Sequence, residues 1–335
     1  TQKKIEEEIK KGQGERKKET SLSIPSNTKI FRNQKIYEKE ESWIEESWID
    51  PLFKPEKATL CPFNHKGWLL PEDAYYSDVK GWDNFKWCRI EEIIDSKNNS
   101  LFGDGIEIED IIQGKISNCY FLSALGSLCK FPELIENLFY TKEQTKEHLY
   151  GIYFYINGQK KLVLIDDYLP YVGDAFKQFA MSKPYNNKMW VALIEKAWAK
   201  INGNYIQIGT GGTANEVFDV LTEAFSEEVK VKYAEKEELW QKLIDGEKNG
   251  FLMTAGTYID DKVLDVGLIE GHSYSVLGVY EIKGEKVLRL RNTWGEGEFY
   301  GDWSDYSSKW TDDLREKYNY FEKEDGDFLL DIKIL

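Results

Sequence analysis

The chain has 335 residues, 41% of them hydrophobic and 14% aromatic, and a net charge of −15. That apolar content supplies a sizeable core and excludes wholesale disorder, while the negative charge repels phosphate backbones and excludes nucleic acid as a partner. No run of about 18 apolar residues and no secretion signal is present, so a cytoplasmic protein with no integral membrane segment is expected.

Residues 1–50 read as a charged N-terminal arm, partly disordered or helical, because KKIEEEIKKGQGERKKE has no apolar stripe. Trp43, Ile44, Trp48 and Ile49 form an apolar set that docks the arm on the body. Next, residues 101–139 read as a glycine-containing loop running into a helix that Cys119 opens. Leu122, Leu125 and Cys129 recur there at i, i+3 and i+7, and Pro132 ends that helix or starts the next. Asn157-Gly158 between LYGIYFYI and KLVLI predicts a type I′ hairpin. An amphipathic helix follows over 188–202, with Trp190, Ile194, Ala197, Trp198 and Ile201 on one face and Asn202-Gly203 as its stop. A further helix is predicted over 213–225, where Thr213 and Glu216 fit a capping box. After the helix EELWQKLIDGEKNG, the runs FLMTAGT, HSYSVLGVYEI, KVLRLRNTW and FLLDIKIL read as strands.

The pattern predicts α+β architecture: a helix-rich lobe around Cys119 at 51–224, an antiparallel β lobe around His272 at 225–335, and a crevice between them. Four cysteines (Cys61, Cys88, Cys119, Cys129) without a C-x-x-C pair favour reduced thiols over a zinc knuckle. Only His65, His148 and His272 are available for histidine chemistry.

A helix N-terminus lowers a thiol pKa and leaves backbone N–H groups free for an oxyanion. Cys119 occupies such a position, and Gln113, six residues upstream, adds a side-chain donor. Taken alone, the commoner role of such a cysteine is that of a small buried hydrophobe. His272 and Asn292 lie near the open end of one hairpin. A two-residue turn at Lys283-Gly284 sets Asn292 roughly opposite residue 275, and a bulge shifts that register. Asn at an imidazole nitrogen fixes the tautomer, and Trp294 beside the pair shields the bond from water.

The order Cys119…His272…Asn292 is that of papain-like proteases. The stretches DGIEIEDIIQGKISNCYFLSALGSLC, GHSYSVLGVYEI and RLRNTWGEGEFYGDWSD resemble the nucleophile, histidine and asparagine blocks of the calpain family, and the resemblance runs from about Trp48 to the C-terminus. Ser117-Asn118 stands where that family has Gly-Asp, and Tyr120 where it has Trp. The resemblance implies a papain-like two-lobe cysteine protease core. Cys119 is then the nucleophile, His272 the general base and acid, Asn292 the orienter and Gln113 an oxyanion donor. It also implies protein substrates, additional domains or subunits outside this chain, and two calcium ions bound without an EF-hand. One ion falls to Gly103, Gly105, Asp110 and Glu195, the other to Glu298, Asp305, Asp325 and Asp327. Calcium is expected to bring the lobes together, with Trp294 wedged in the cleft in its absence. The alternatives are a catalytically silent calpain-like scaffold and a transglutaminase-like enzyme, against which Asn292 speaks.

Overall fold

The computed structural model describes residues 47–60, 63–64, 67–68, 86–93, 100–171, 188–258 and 266–334. The arm ahead of Ser47, with Trp43 and Ile44, lies outside them, as do Cys61 and His65. At the near end of the arm the expected apolar dock is only partial. Trp48 is half-buried and its N–H donates to Glu147 O at 2.8 Å, but Ile49 stays 48% exposed. The anchor is instead Asp50, which is buried. Its N–H donates to Asp166 Oδ2 at 2.7 Å and its carboxylate receives Lys200 Nζ at 2.6 Å.

The helix Cys119–Leu128 is buried on every side from Tyr120 to Leu128, and it packs on the strand Ser273–Ile282 and the helix Ala214–Thr222. A stripe at helical spacing is therefore only part of its apolar surface. Pro132 opens the next helix, Pro132–Leu138, where its missing N–H has no partner to lose. The strands Leu149–Tyr155 and Lys160–Asp166 pair antiparallel across Asn157 (φ 53°) and Gly158 (φ 67°), the left-handed pair that a type I′ turn requires.

The helix Trp190–Asn202 is buried from Trp190 to Lys200, charged residues included. Its polar positions point inward because each has a partner: Lys196 Nζ meets Asp166 Oδ1 at 2.5 Å, and Lys200 meets Asp50. Paired, such charges tolerate burial; alone they would not. The helix Ala214–Thr222 begins with the Thr213 side chain accepting from Glu216 N–H. It ends before Ala224, because Glu223 turns to φ 59°.

The second half of the chain is built on one antiparallel sheet. Its spatial order is Asp327–Asp331, Glu285–Asn292, Ser273–Ile282 and Thr254–Gly256. The run FLMTAGT pairs as a strand only over Thr254–Gly256. Lys283 (φ 52°) and Gly284 (φ 82°) make the hairpin turn, and an irregularity between Val276 and Gly278 shifts the register by one. Asn292 thus faces Tyr274 rather than Ser275. Among the described residues, buried apolar side chains form three clusters. One runs from Phe53 to Leu221. The second spans Trp240 to Leu330, and the third joins Trp303, Trp310 and Tyr320 to the back of the sheet.

Candidate active site

Cys119 is the first residue of its helix, and Asn118 precedes it as N-cap. The backbone at Ser117 does not enter the left-handed region, so glycine is not required there. Tyr120 packs against Gly212, where a Cβ would stand 2.5 Å from its ring, and its hydroxyl donates to Ile208 O at 3.1 Å. The Cys119 sulfur is reached by the backbone N–H groups of Ser273, Tyr120 and Cys119 itself. Burial outweighs them and pushes the thiol up, opposite to the direction expected from the helix N-terminus alone. Cys88, Cys119 and Cys129 are all free thiols.

His272 is buried just ahead of the strand Ser273–Ile282, and Asn292 is the last residue of the strand beside it. His272 Nε2 lies 2.8 Å from Asn292 Oδ1. The Asn292 amide orientation is fixed from behind, because Nδ2 donates to Glu296 O at 2.8 Å and to Gly297 O at 3.0 Å. Oδ1, which also accepts from the Trp294 N–H at 3.1 Å, can only be an acceptor. Nε2 therefore carries the proton and Nδ1 keeps its lone pair. The desolvation of the ring lowers the His272 pKa to about 4, against the pull of the Asn292 bond. The Trp294 ring lies 5.0 Å from the imidazole and is 39% exposed, so it covers the histidine from the solvent side.

Gln113 joins the two halves of the site. Its N–H donates to Thr293 O at 2.7 Å and its Oε1 accepts from the Thr293 hydroxyl at 2.6 Å. Its Nε2 gives one proton to Ile116 O at 2.7 Å. Cys119, His272, Gln113 and Trp294 line one open groove, with Gly211 and Gly212 on one wall and Thr257 and Ile269 on the other. Asn292 stands behind His272, fully buried.

Three serines absent from the sequence reading lock this arrangement. Ser123 and Ser273 hydroxyls are 2.7 Å apart, and Ser275 Oγ donates to Ser123 O at 2.9 Å. They fasten the helix of Cys119 to the strand that begins beside His272. Serines inside a helix or a strand carry no sequence signal of such a role.

The residues expected to hold calcium are otherwise engaged. Gly103 and Gly105 do take positive φ, at 60° and 138°. Asp110 is fully buried and accepts from Trp190 Nε1 at 3.1 Å and from Lys188 Nζ at 3.0 Å. Glu195 Oε1 accepts from Asn118 Nδ2 at 2.7 Å. In the second set, Asp327 is bound by Arg289 through two nitrogens, Asp305 receives the Tyr320 hydroxyl and the Lys323 N–H, and Asp325 pairs with Lys323 Nζ at 2.9 Å. Glu298 accepts from the N–H groups of Asp325 and Gly326 at 3.0 Å each; burial and the Asp305 charge raise it to about 7. Among the described residues no three Asp, Glu, His or Cys side chains are placed to hold one metal ion. As arranged, the acidic side chains of both sets are taken up by donors of the protein itself.

Among the described residues no helix is long and apolar enough to cross a membrane. The family description "calpain family cysteine protease" matches residues 48–334. The chain is 32% identical over 294 residues to the calpain-type cysteine protease ADL1 of Oryza sativa subsp. japonica, which covers 82% of this chain and 13% of that protein. It is 34% identical over 208 residues to calpain-14 of Homo sapiens, covering 60% of this chain and 30% of that one. It is 32% identical over 264 residues to the calpain-1 catalytic subunit of Macaca fascicularis, covering 74% and 36%. The chain thus spans well under half the length of each of these relatives.

Proposed function

The chain belongs to the calpain family of cysteine proteases, and from that premise we propose that it is an active endopeptidase with a papain-like two-lobe core, working through Cys119, His272 and Asn292. The observation that carries this reading is the His272–Asn292 bond, whose polarity leaves Nδ1 as a base on the groove that Cys119 also lines.

The chemistry follows from that tautomer. Nδ1 takes the thiol proton, and the sulfur attacks a peptide carbonyl bound in the groove. The oxyanion is met by backbone N–H groups at the start of the Cys119 helix and by the Gln113 amide proton that Ile116 does not take. The imidazolium, held in plane by Asn292 Oδ1, returns its proton to the leaving amine. Water then attacks the thioester, His272 removes its proton, and the acid and the free thiol are released.

A catalytically silent scaffold is the second reading. It is favoured by the neutral state that burial imposes on both Cys119 and His272, since neither carries the charge that makes a thiolate ready. Calcium activation enters no step above, because among the described residues the acidic side chains do not converge on one point. The test is hydrolysis of an unfolded protein by wild type and Cys119→Ser, each with calcium and with chelator. Hydrolysis lost in Cys119→Ser supports the nucleophile; hydrolysis that survives the substitution overturns it. Equal rates with and without chelator remove the calcium requirement, and no hydrolysis under either condition favours the scaffold.

A further inference from the structure

We propose that Lys188 is a built-in cation on the 103–110 loop, its ammonium occupying the place expected for a divalent ion there, so that this loop is held without calcium. Lys188 Nζ lies 3.0 Å from Asp110 Oδ1, 3.2 Å from Asp104 Oδ1 and 3.4 Å from Glu107 Oε2. An ammonium has three donors, and three carboxylates face it. Its side chain has no solvent exposure, and Asp110 beneath it is equally buried, whereas Asp104 and Glu107 close the site from the rim.

The loop is shaped around that side chain. A Cβ at Gly103 would stand 3.0 Å from both Cγ and Cε of Lys188, so glycine leaves the channel its stem runs through. The backbone is zipped to the same place: Ser100 bridges Lys188 in parallel, and Met189 N–H donates to Ser100 O at 3.1 Å. The second carboxylate expected to bind the ion, Glu195, has a neutral internal donor in Asn118 Nδ2. Calcium needs six to eight oxygens at about 2.3–2.6 Å, and one bound to Asp110 would sit against the Lys188 ammonium 3.0 Å from the same carboxylate.

The test reads calcium binding and thermal stability instead of proteolysis, so it succeeds or fails apart from the protease assignment. Melting curves of wild type and Lys188→Met are recorded in chelator and in calcium chloride. The expected result is a lower melting temperature for Lys188→Met in chelator and a calcium-dependent rise several-fold larger than that of wild type. Equal calcium responses in the two proteins overturn the proposal. Should Lys188→Met not fold in either condition, calcium titration of wild type and Glu195→Gln decides the matter. The same number of ions bound by both supports the built-in cation, and one fewer in Glu195→Gln overturns it.

Discussion

At His272 burial and hydrogen bonding pull in opposite directions, and burial wins, placing the pKa at about 4. The unfolded histidine titrates near 6.5, so between about 6.5 and 4 the unfolded chain binds a proton that the folded chain refuses. Stability from this group is full above the unfolded value and falls as pH drops through the window, by roughly 3 kcal/mol in all. Glu298, raised to about 7, titrates with the opposite sign in this range, so the His272 contribution is read as the difference in urea-midpoint slope between wild type and His272→Gln; no difference removes the assignment. The raised Cys119 thiol has its own consequence. Alkylation of the Cys119 peptide by iodoacetamide, followed by mass spectrometry, is expected to be slower at neutral pH than that of a free thiol. The rate should rise only as pH climbs past the ordinary cysteine range. Of these residues the sequence singled out Cys119, His272 and Asn292 by type and order, and the structure sets the last two in hydrogen-bond contact. The sequence carried no sign of Ser123 and Ser273, whose value lies in a contact across 150 positions.

The helix Cys119–Leu128 and the hairpin Ser273–Asn292 meet at Gly126, where a Cβ would stand 2.4 Å from Ser275 Oγ and 3.2 Å from Ile108 Cδ1. Alanine is ordinarily the better helix residue by about 1 kcal/mol, but here overpacking is the larger effect. Gly126→Ala is expected to destabilise by roughly 1–3 kcal/mol, measured by denaturant unfolding, by forcing the Cys119 helix away from the strand of Ser275. Adding Ser275→Ala should restore much of the stability; no recovery would place the strain elsewhere. The hairpin itself was legible because Lys283-Gly284 is a turn signal with a mechanism, as Asn157-Gly158 is in the hairpin of the first half. Its register was not, since the place of the irregularity between Val276 and Gly278 has no turn signal in the run to mark it.

Across the whole molecule, the segment after Ser47 is tied in by buried charge. Asp50 binds Lys200, Asp166 binds Lys196, and Arg89 Nη1 meets Asp167 Oδ1 at 2.7 Å. Asp50→Ala leaves Lys200 buried without its counter-charge and is expected to cost about 3–5 kcal/mol, read as a drop in melting temperature. Asp50→Asn should recover part of it through a remaining hydrogen bond. A melting temperature unchanged in Asp50→Ala would mean that Lys200 escapes to water.

What the residues determined by themselves was whatever is written in short-range order: a cysteine opening an apolar helix, glycine-marked turns, and a histidine and an asparagine carried on one hairpin. These depend on backbone geometry and local periodicity, which a linear chain records. What only the tertiary structure decided was which partner each buried polar group would take. The tautomer of His272 followed from two carbonyls, those of Glu296 and Gly297, that turn the Asn292 amide. The carboxylate of Asp110 acquired Lys188, a cation 78 positions away. Charge satisfaction inside a protein is settled by distances across the fold, and a desolvated carboxylate takes the counter-charge that packing brings to it.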